Sequence, residues 1–197
     1  MALERELKLK LDRIKAVREA GEVRRCHTLP HQSNYTIASH SYGAVNLLLL
    51  LHPNPSVNLI KALLWHDVAE RWLGDLPSPG KGICPEMQEA YERIEDDILR
   101  RLELRPELTE IECAWAAAMD LADLFLWATV EHHQYSNWAA TAMMDACKRS
   151  LDKMLFNLRP ICKEGKDLAD GLHLLLTYQQ RGYFCDRLSD FMWTPKN

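Results

Sequence analysis

Metal-ligating residue types gather at three places in the chain, each inside a strongly apolar stretch. The first is His40, in Ala38-Ser-His-Ser41. The second is the adjacent pair His66-Asp67, in Leu63-Leu-Trp-His-Asp-Val-Ala69, with Glu70 one helical turn on and Asp75 beyond it. The third is Asp123, in Leu121-Ala-Asp-Leu-Phe-Leu-Trp127. An ionised carboxylate on an apolar face is costly unless it is paired or bound to a metal. Two imidazoles and two carboxylates suit a borderline divalent ion (Mn²⁺, Co²⁺, Fe²⁺, Ni²⁺ or Zn²⁺) and leave coordination positions open. One reading is therefore a mononuclear centre held by His40, His66, Asp67 and Asp123. The plainer one makes His66 a core polar contact and pairs Asp123 with an arginine. For an isolated His–Asp pair the plainer reading wins, so the surrounding residues decide. Adjacent residues on a helix point about 100° apart, so His66 and Asp67 reach one ion only where their helix runs alongside it.

The elements that must position these groups read as helices almost throughout. Apolar residues at helical spacing mark Leu3–Ala20, Thr36–Leu51, a stretch from about Ser56 to Gly74, Pro85–Leu104, Pro106–Val130, Asn137–Leu158 and Lys163–Arg181. Loops fall at Glu22–Tyr35, at the turn His52–Ser56, at the proline-rich Asp75–Pro85 and over the irregular end Tyr183–Asn197. No alternating strand pattern and no internal repeat appears. The class is all-α, a compact bundle of about seven or eight helices, and residues 1–197 read as a single domain.

Composition narrows the function. The chain has 197 residues, of which 47% are hydrophobic and 26% charged, as in a globular protein. Its net charge of −4 offers no basic excess for nucleic acid or an anionic membrane. The apolar run Val45–Leu51 is far shorter than the about 20 residues a membrane span needs. The six cysteines are widely spaced, form no CxxC and follow a charged N-terminus, so we expect reduced thiols in a cytoplasmic protein. Only eight glycines are present, and none builds a Gly-rich phosphate loop. Phosphate, if bound, would have to be met by a metal and by cationic side chains.

Four stretches surround the candidate ligands: Arg25-Cys-His-Thr-Leu-Pro30, Thr36-Ile-Ala-Ser-His-Ser41, Trp65-His-Asp-Val-Ala-Glu70, and Gly74-Asp-Leu-Pro-Ser-Pro79 followed by Lys81. Together they resemble the HD-domain phosphohydrolases, whose signature is H…HD…D on an all-α helical bundle. More narrowly, they resemble the bacterial 5′-deoxynucleotidases and the phage deoxynucleoside-triphosphate hydrolases that act on dATP. The resemblance covers roughly Arg24 to Ala128 and tips the balance toward the metal centre. It implies that His40, His66, Asp67 and Asp123 hold one divalent ion, with Mg²⁺ able to accompany a triphosphate. It implies catalytic roles for Glu70, which would polarise or deprotonate water, and for Asp75, which would orient water or protonate the leaving oxygen. Arg25, Cys26, His27, Pro79 and Lys81 would bind substrate.

The resemblance also has departures. Ser39 stands where many deoxynucleotidases carry Glu, Cys26 where relatives often carry an aromatic residue, and Asp120 where several carry a basic one. The implied activity is hydrolysis of a small deoxynucleotide, with dATP cleaved to deoxynucleoside and triphosphate as the favoured form. Removal of phosphate from a deoxynucleoside monophosphate is the alternative, and a catalytically silent nucleotide-binding regulator is the alternative of another class. The implied assembly is a homo-oligomer, dimer or higher, in a bacterial or phage-infected cytoplasm. The remaining histidines, and Trp65 and Trp72, read as loop, helix-end or core residues.

Overall fold

The computed structural model describes residues 2–76, 84–158 and 163–180. These are helical in α1 (Ala2–Ala20), α2 (Ile37–Leu51), α3 (Val57–Trp65), the single turn α4 (Glu70–Leu73), α5 (Pro85–Arg101), α6 (Glu110–Tyr135), α7 (Trp138–Leu158) and α8 (Lys163–Gln180). Among the described residues the only extended pairing is an isolated antiparallel bridge between Arg24 and Thr36. The all-α expectation holds.

The chain divides into two compact units, one of residues 1–29 and 33–120, the other of residues 30–32 and 121–197. The division falls inside α6. In the first unit α1 packs on α4, and α2 on α3. Its core includes Ala16, Ala20, Val68, Ala69, Leu99 and Leu104, with Trp65 against them. In the second unit α7 packs on α8, and Phe125, Leu151, Leu168 and Leu172 are buried. The 26-residue α6 is long and apolar enough to cross a membrane by length and composition. Here it buries Trp115, Met119 and Phe125 within the protein.

Local chemistry explains where the elements begin and end. Thr36 caps α2, and Ser39 closes the capping box. The Ser39 amide donates to Thr36 Oγ1 at 3.3 Å, and the Thr36 amide donates to Ser39 Oγ at 2.9 Å. The serine that departs from the deoxynucleotidase pattern thus serves the helix start one residue before His40. Gly21 ends α1 where a Cβ would sit 3.3 Å from that of Ala38. Its carbonyl accepts from the Ala38 amide, which ties the end of α1 to the start of α2. Ser56 caps α3 through its hydroxyl, and Thr109 and Glu112 cap α6 reciprocally.

One expected helix is broken. The reading from Ser56 to Gly74 as one element gives way after Trp65. From there the backbone closes on i→i−3 bonds: Val68 to Trp65, Glu70 to Asp67, Arg71 to Val68 and Trp72 to Ala69. His66 Nδ1 lies 2.9 Å from the Leu63 carbonyl, occupying an acceptor that a continuing α-helix would use for the Asp67 amide. The His-Asp pair therefore sits on a tightened turn rather than on the side of a regular helix. Of its flanking tryptophans, Trp65 meets the core while Trp72 is 49% exposed, with Arg71 stacked over its ring.

Candidate metal centre

Both imidazoles are held by their outer nitrogens. His40 is fully buried, and its Nδ1 lies 3.0 Å from the Tyr35 hydroxyl. His66 Nδ1 is held by the Leu63 carbonyl. Each ring thus turns its Nε2 inward, and the two Nε2 atoms lie 3.3 Å apart. Asp67 Oδ2 stands 3.1 Å from His66 Nε2 and 3.8 Å from His40 Nε2. Asp120 Oδ1 stands 2.8 Å from His40 Nε2 and 3.6 Å from His66 Nε2. Nitrogen and oxygen donors about 2.05 Å from a tetrahedral ion are about 3.3 Å from one another. These five separations scatter around that value; His40, His66 and Asp67 could together hold one divalent ion, with Asp120 beside the two imidazoles. Outer-nitrogen anchoring of each imidazole is what metal-binding histidines require.

The aspartate of α6 that meets the imidazoles is Asp120. Asp123, expected in that place, lies three residues further along the same helix. Three residues advance a helix about 4.5 Å and leave the two side chains only about 60° apart, so both aspartates lie on one side of α6, and the carboxylate placed at the imidazoles is that of Asp120. Both lie in the same apolar run, and helical periodicity does not choose between them. Tyr35 was not singled out from sequence either. Its signal is a lone tyrosine five residues before a ligand histidine, too weak to find without the fold.

Arg25 reaches this cluster through the loop before α2. The Arg25 amide donates to the Tyr35 carbonyl at 2.9 Å, and the Ile37 amide to the Val23 carbonyl at 3.0 Å. This short antiparallel pairing lays Arg25 beside the helix that carries His40. Its guanidinium lies 5.9 Å from the centre of the Tyr35 ring, pairs with Asp67 and stands 3.9 Å from Glu70. Arg25 Nε and Glu70 Oε2 are buried without a hydrogen-bond partner. Asp75 Oδ2 accepts from the Cys26 amide at 2.8 Å and lies 3.8 Å from the ring of the half-exposed His27. Cys26 adopts a positive φ of 55°, and the Asp75 carboxylate holds that turn in place. Pro79 and Lys81 lie outside the described residues.

Charge in the cluster is strongly biased. Burial opposes ionisation of Asp67, but His66 and Arg25 outweigh it and hold the carboxyl at about 2. Asp120 is likewise held well below the usual range, by His40 and His66 against the effect of burial. His66 is raised well above its ordinary value, because Asp67 and Asp120 overcome its burial. Glu70 goes the other way: burial first, then the neighbouring Asp67, push it up to about 8 despite Arg25. A proton on His66 thus supplies part of the positive charge that a divalent ion would bring. Glu70, beside it, is poised to exchange a proton near neutral pH.

An H…HD…D set on an all-α frame defines a class of metal-dependent hydrolases, and comparison with known proteins agrees. The model of the YfbR-like 5′-deoxynucleotidase family matches residues 14–111, which include His40, His66, Asp67, Glu70 and Asp75 but stop short of Asp120. The fold is similar to that of the cyanophage S-2L HD phosphohydrolase DatZ, solved with dA and one catalytic Zn²⁺ ion. That likeness is 21% identical, covers 85% of this chain and 96% of that one, and has a TM-score of 0.63. The PH0347 protein of Pyrococcus horikoshii OT3 is also similar, at 18% identity, with 84% and 97% of the two chains covered and a TM-score of 0.59. No curated protein matches the sequence. The chain belongs to the HD-domain phosphohydrolase superfamily.

Proposed function

We propose that this enzyme hydrolyses the 5′ phosphoester bond of a deoxynucleotide and releases the deoxynucleoside. The observation that carries the reading is the convergence of four donor atoms, from His40, His66, Asp67 and Asp120, beside Arg25 and Glu70. A divalent ion bound by those four residues would polarise the phosphoryl group and acidify water. Glu70, titrating at about 8, takes the proton from the attacking water and returns one to the departing 5′ oxygen. Arg25 balances negative charge on the phosphate, and its Nε, which has no hydrogen-bond partner, is a spare donor for a phosphoryl oxygen. Asp75 holds the Cys26–His27 turn, and in this reading that turn meets the sugar and base.

Two forms of the reaction follow. Cleavage of dATP to deoxyadenosine and triphosphate is the form the sequence motifs favour, and an adenine deoxynucleoside fits the related cyanophage fold. Hydrolysis of deoxynucleoside monophosphates is favoured by the family match and by the cation supply. Among the described residues, the one guanidinium in the cluster is Arg25, and it is already paired with Asp67. Incubation with each dNTP and dNMP, with Zn²⁺, Co²⁺, Mn²⁺ or Mg²⁺ and with a chelator control, separates the two by chromatography. Triphosphate from dATP establishes the first form. Inorganic phosphate from monophosphates, with triphosphates untouched, establishes the second. No turnover with any ion refutes the reading.

A further inference from the structure

One side chain of α5 reaches the candidate site from outside every motif that marks it in sequence. Helix α5 docks through its C-terminal half, where Ile98, Leu99 and Leu102 pack with Val68 and Ala69 in the core of the first unit. Tyr91 lies seven residues before Ile98, which on a helix puts the two about 20° apart on one face. Tyr91 is half-buried, and its hydroxyl donates to the Gly74 carbonyl. Gly74 ends α4, and its amide donates back to the Glu70 carbonyl at 2.7 Å. Its φ of 75° and ψ of 162° belong to a region that glycine enters freely and other residues avoid. Crowding is not the reason for glycine here, because a Cβ would meet nothing within 4 Å. Both polar groups of the Gly74 backbone are therefore held, one by the turn behind it and the other by Tyr91.

We propose that Tyr91 is a positioning residue for the Cys26–His27 turn, acting through Gly74 and Asp75. Each step of the path is a hydrogen bond or a peptide bond. By holding the Gly74 carbonyl, Tyr91 fixes the peptide plane from which Asp75 departs. Asp75 Oδ2 accepts from the Cys26 amide at 2.8 Å. Cys26 has a φ of 55°, a conformation that a residue with a side chain keeps only where its surroundings impose it. Without the phenol hydroxyl, the plane between Gly74 and Asp75 turns on the soft torsions of a glycine. The carboxylate then no longer meets the Cys26 amide at a fixed distance. Burial first, then Glu70, Glu95 and Asp75, push the phenol above its ordinary value, so it stays a donor across the neutral range. The proposal rests on the reading in which the Cys26–His27 turn meets the deoxynucleoside. None of His40, His66, Asp67 and Asp120 lies on the path, so loosening the turn weakens substrate binding and leaves the metal donors in place.

The test is Tyr91→Phe in the zinc-loaded full chain, which keeps the ring and removes the donor. KM for the deoxynucleotide hydrolysed should rise about three- to tenfold, the worth of one hydrogen bond, with kcat and zinc affinity each within about twofold. A second measurement needs no turnover. Protein labelled with ¹⁵N-cysteine gives an amide signal for each of the six cysteines, and that of Cys26 is assigned by its loss in Cys26→Ser. Hydrogen exchange at the Cys26 amide should quicken at least about tenfold in Tyr91→Phe, while exchange at the buried Cys147 of α7 stays as it was. In an Asp75→Ala background the Cys26 amide has already lost its acceptor, so Tyr91→Phe should quicken its exchange no further. Unchanged exchange at Cys26 overturns the proposal, as does faster exchange at both cysteines. A joint fall in kcat and zinc affinity also overturns it, because Tyr91 then serves the fold alone. A wild type that turns over no deoxynucleotide removes the reading beneath the proposal, and exchange at Cys26 then decides by itself whether Tyr91 holds the turn.

Discussion

Replacing Asp120 by asparagine keeps an oxygen in place and removes its charge. In the structure that oxygen lies 2.8 and 3.6 Å from the inward nitrogens of His40 and His66, the spacing expected of ligands on one ion. Loss of a group that only orients a metal ligand typically costs 10- to 100-fold in affinity. Loss of an anionic ligand should exceed this, so Asp120→Asn is expected to weaken zinc binding by at least about 100-fold, about 2.7 kcal/mol. Asp123→Asn, one turn further along the same helix and half-buried, should change it less than about tenfold, the least that loss of a supporting group costs. Competition against a chromophoric chelator at fixed pH measures both. Cobalt-substituted protein adds a second readout, because loss of a ligand alters its visible spectrum. Asp123→Asn losing zinc while Asp120→Asn retains it would refute the assignment and restore the ligand set expected from sequence.

Three further outcomes are expected. Arg25→Ala leaves Asp67 and Glu70 facing each other without their cation; since Arg25 and Asp67 are each 12% exposed, metal-free stability in urea should fall by about 3–5 kcal/mol, and zinc should recover part of it. Metal-free protein should lose stability as pH rises from 5 to 9. Glu70 binds a proton up to about 8 when folded but only to its ordinary 4.5 when unfolded, so the folded state holds the extra proton between those two values and the loss levels off above about 8. The raised His66 acts in the same direction, while the depressed Asp67 changes stability only below pH about 4. The Glu70 contribution is roughly 4 kcal/mol at most, and thermal melts of chelator-treated protein should show a slope that Glu70→Gln flattens. Finally, Tyr35→Phe removes the hydrogen bond at His40 Nδ1 and should reduce zinc affinity about tenfold with helical content unchanged; retention of full affinity would show that the hydroxyl does not orient the ring.

Much of this protein is legible in one dimension. Helical class follows from apolar spacing, because each helix must bury a stripe and the stripe repeats every 3.6 residues. His40, His66, Asp67, Glu70 and Arg25 were recognisable because a proline-rich loop and an HD pair stand at spacings that few sequences share. The starts of α2 and α3 were written in Thr36 and Ser56, whose hydroxyls cap them, whereas α6, read from Pro106, begins at Glu110 behind the Thr109 cap.

Other features depend on distances between residues far apart in the chain. Choosing Asp120 over Asp123 needed the position of α6 beside α2 and α3, since two carboxylates a turn apart look alike in sequence. The break after Trp65 depended on His66 taking the Leu63 carbonyl, a side-chain competition that propensity does not register. Tyr35 and Tyr91 became meaningful only when packing showed which groups meet the site. Sequence alone therefore determined the kinds of chemical group and the helices that carry them. Tertiary structure decided which groups converge, because metal coordination depends on separations of a few ångströms between residues up to 80 positions apart (40 to 120).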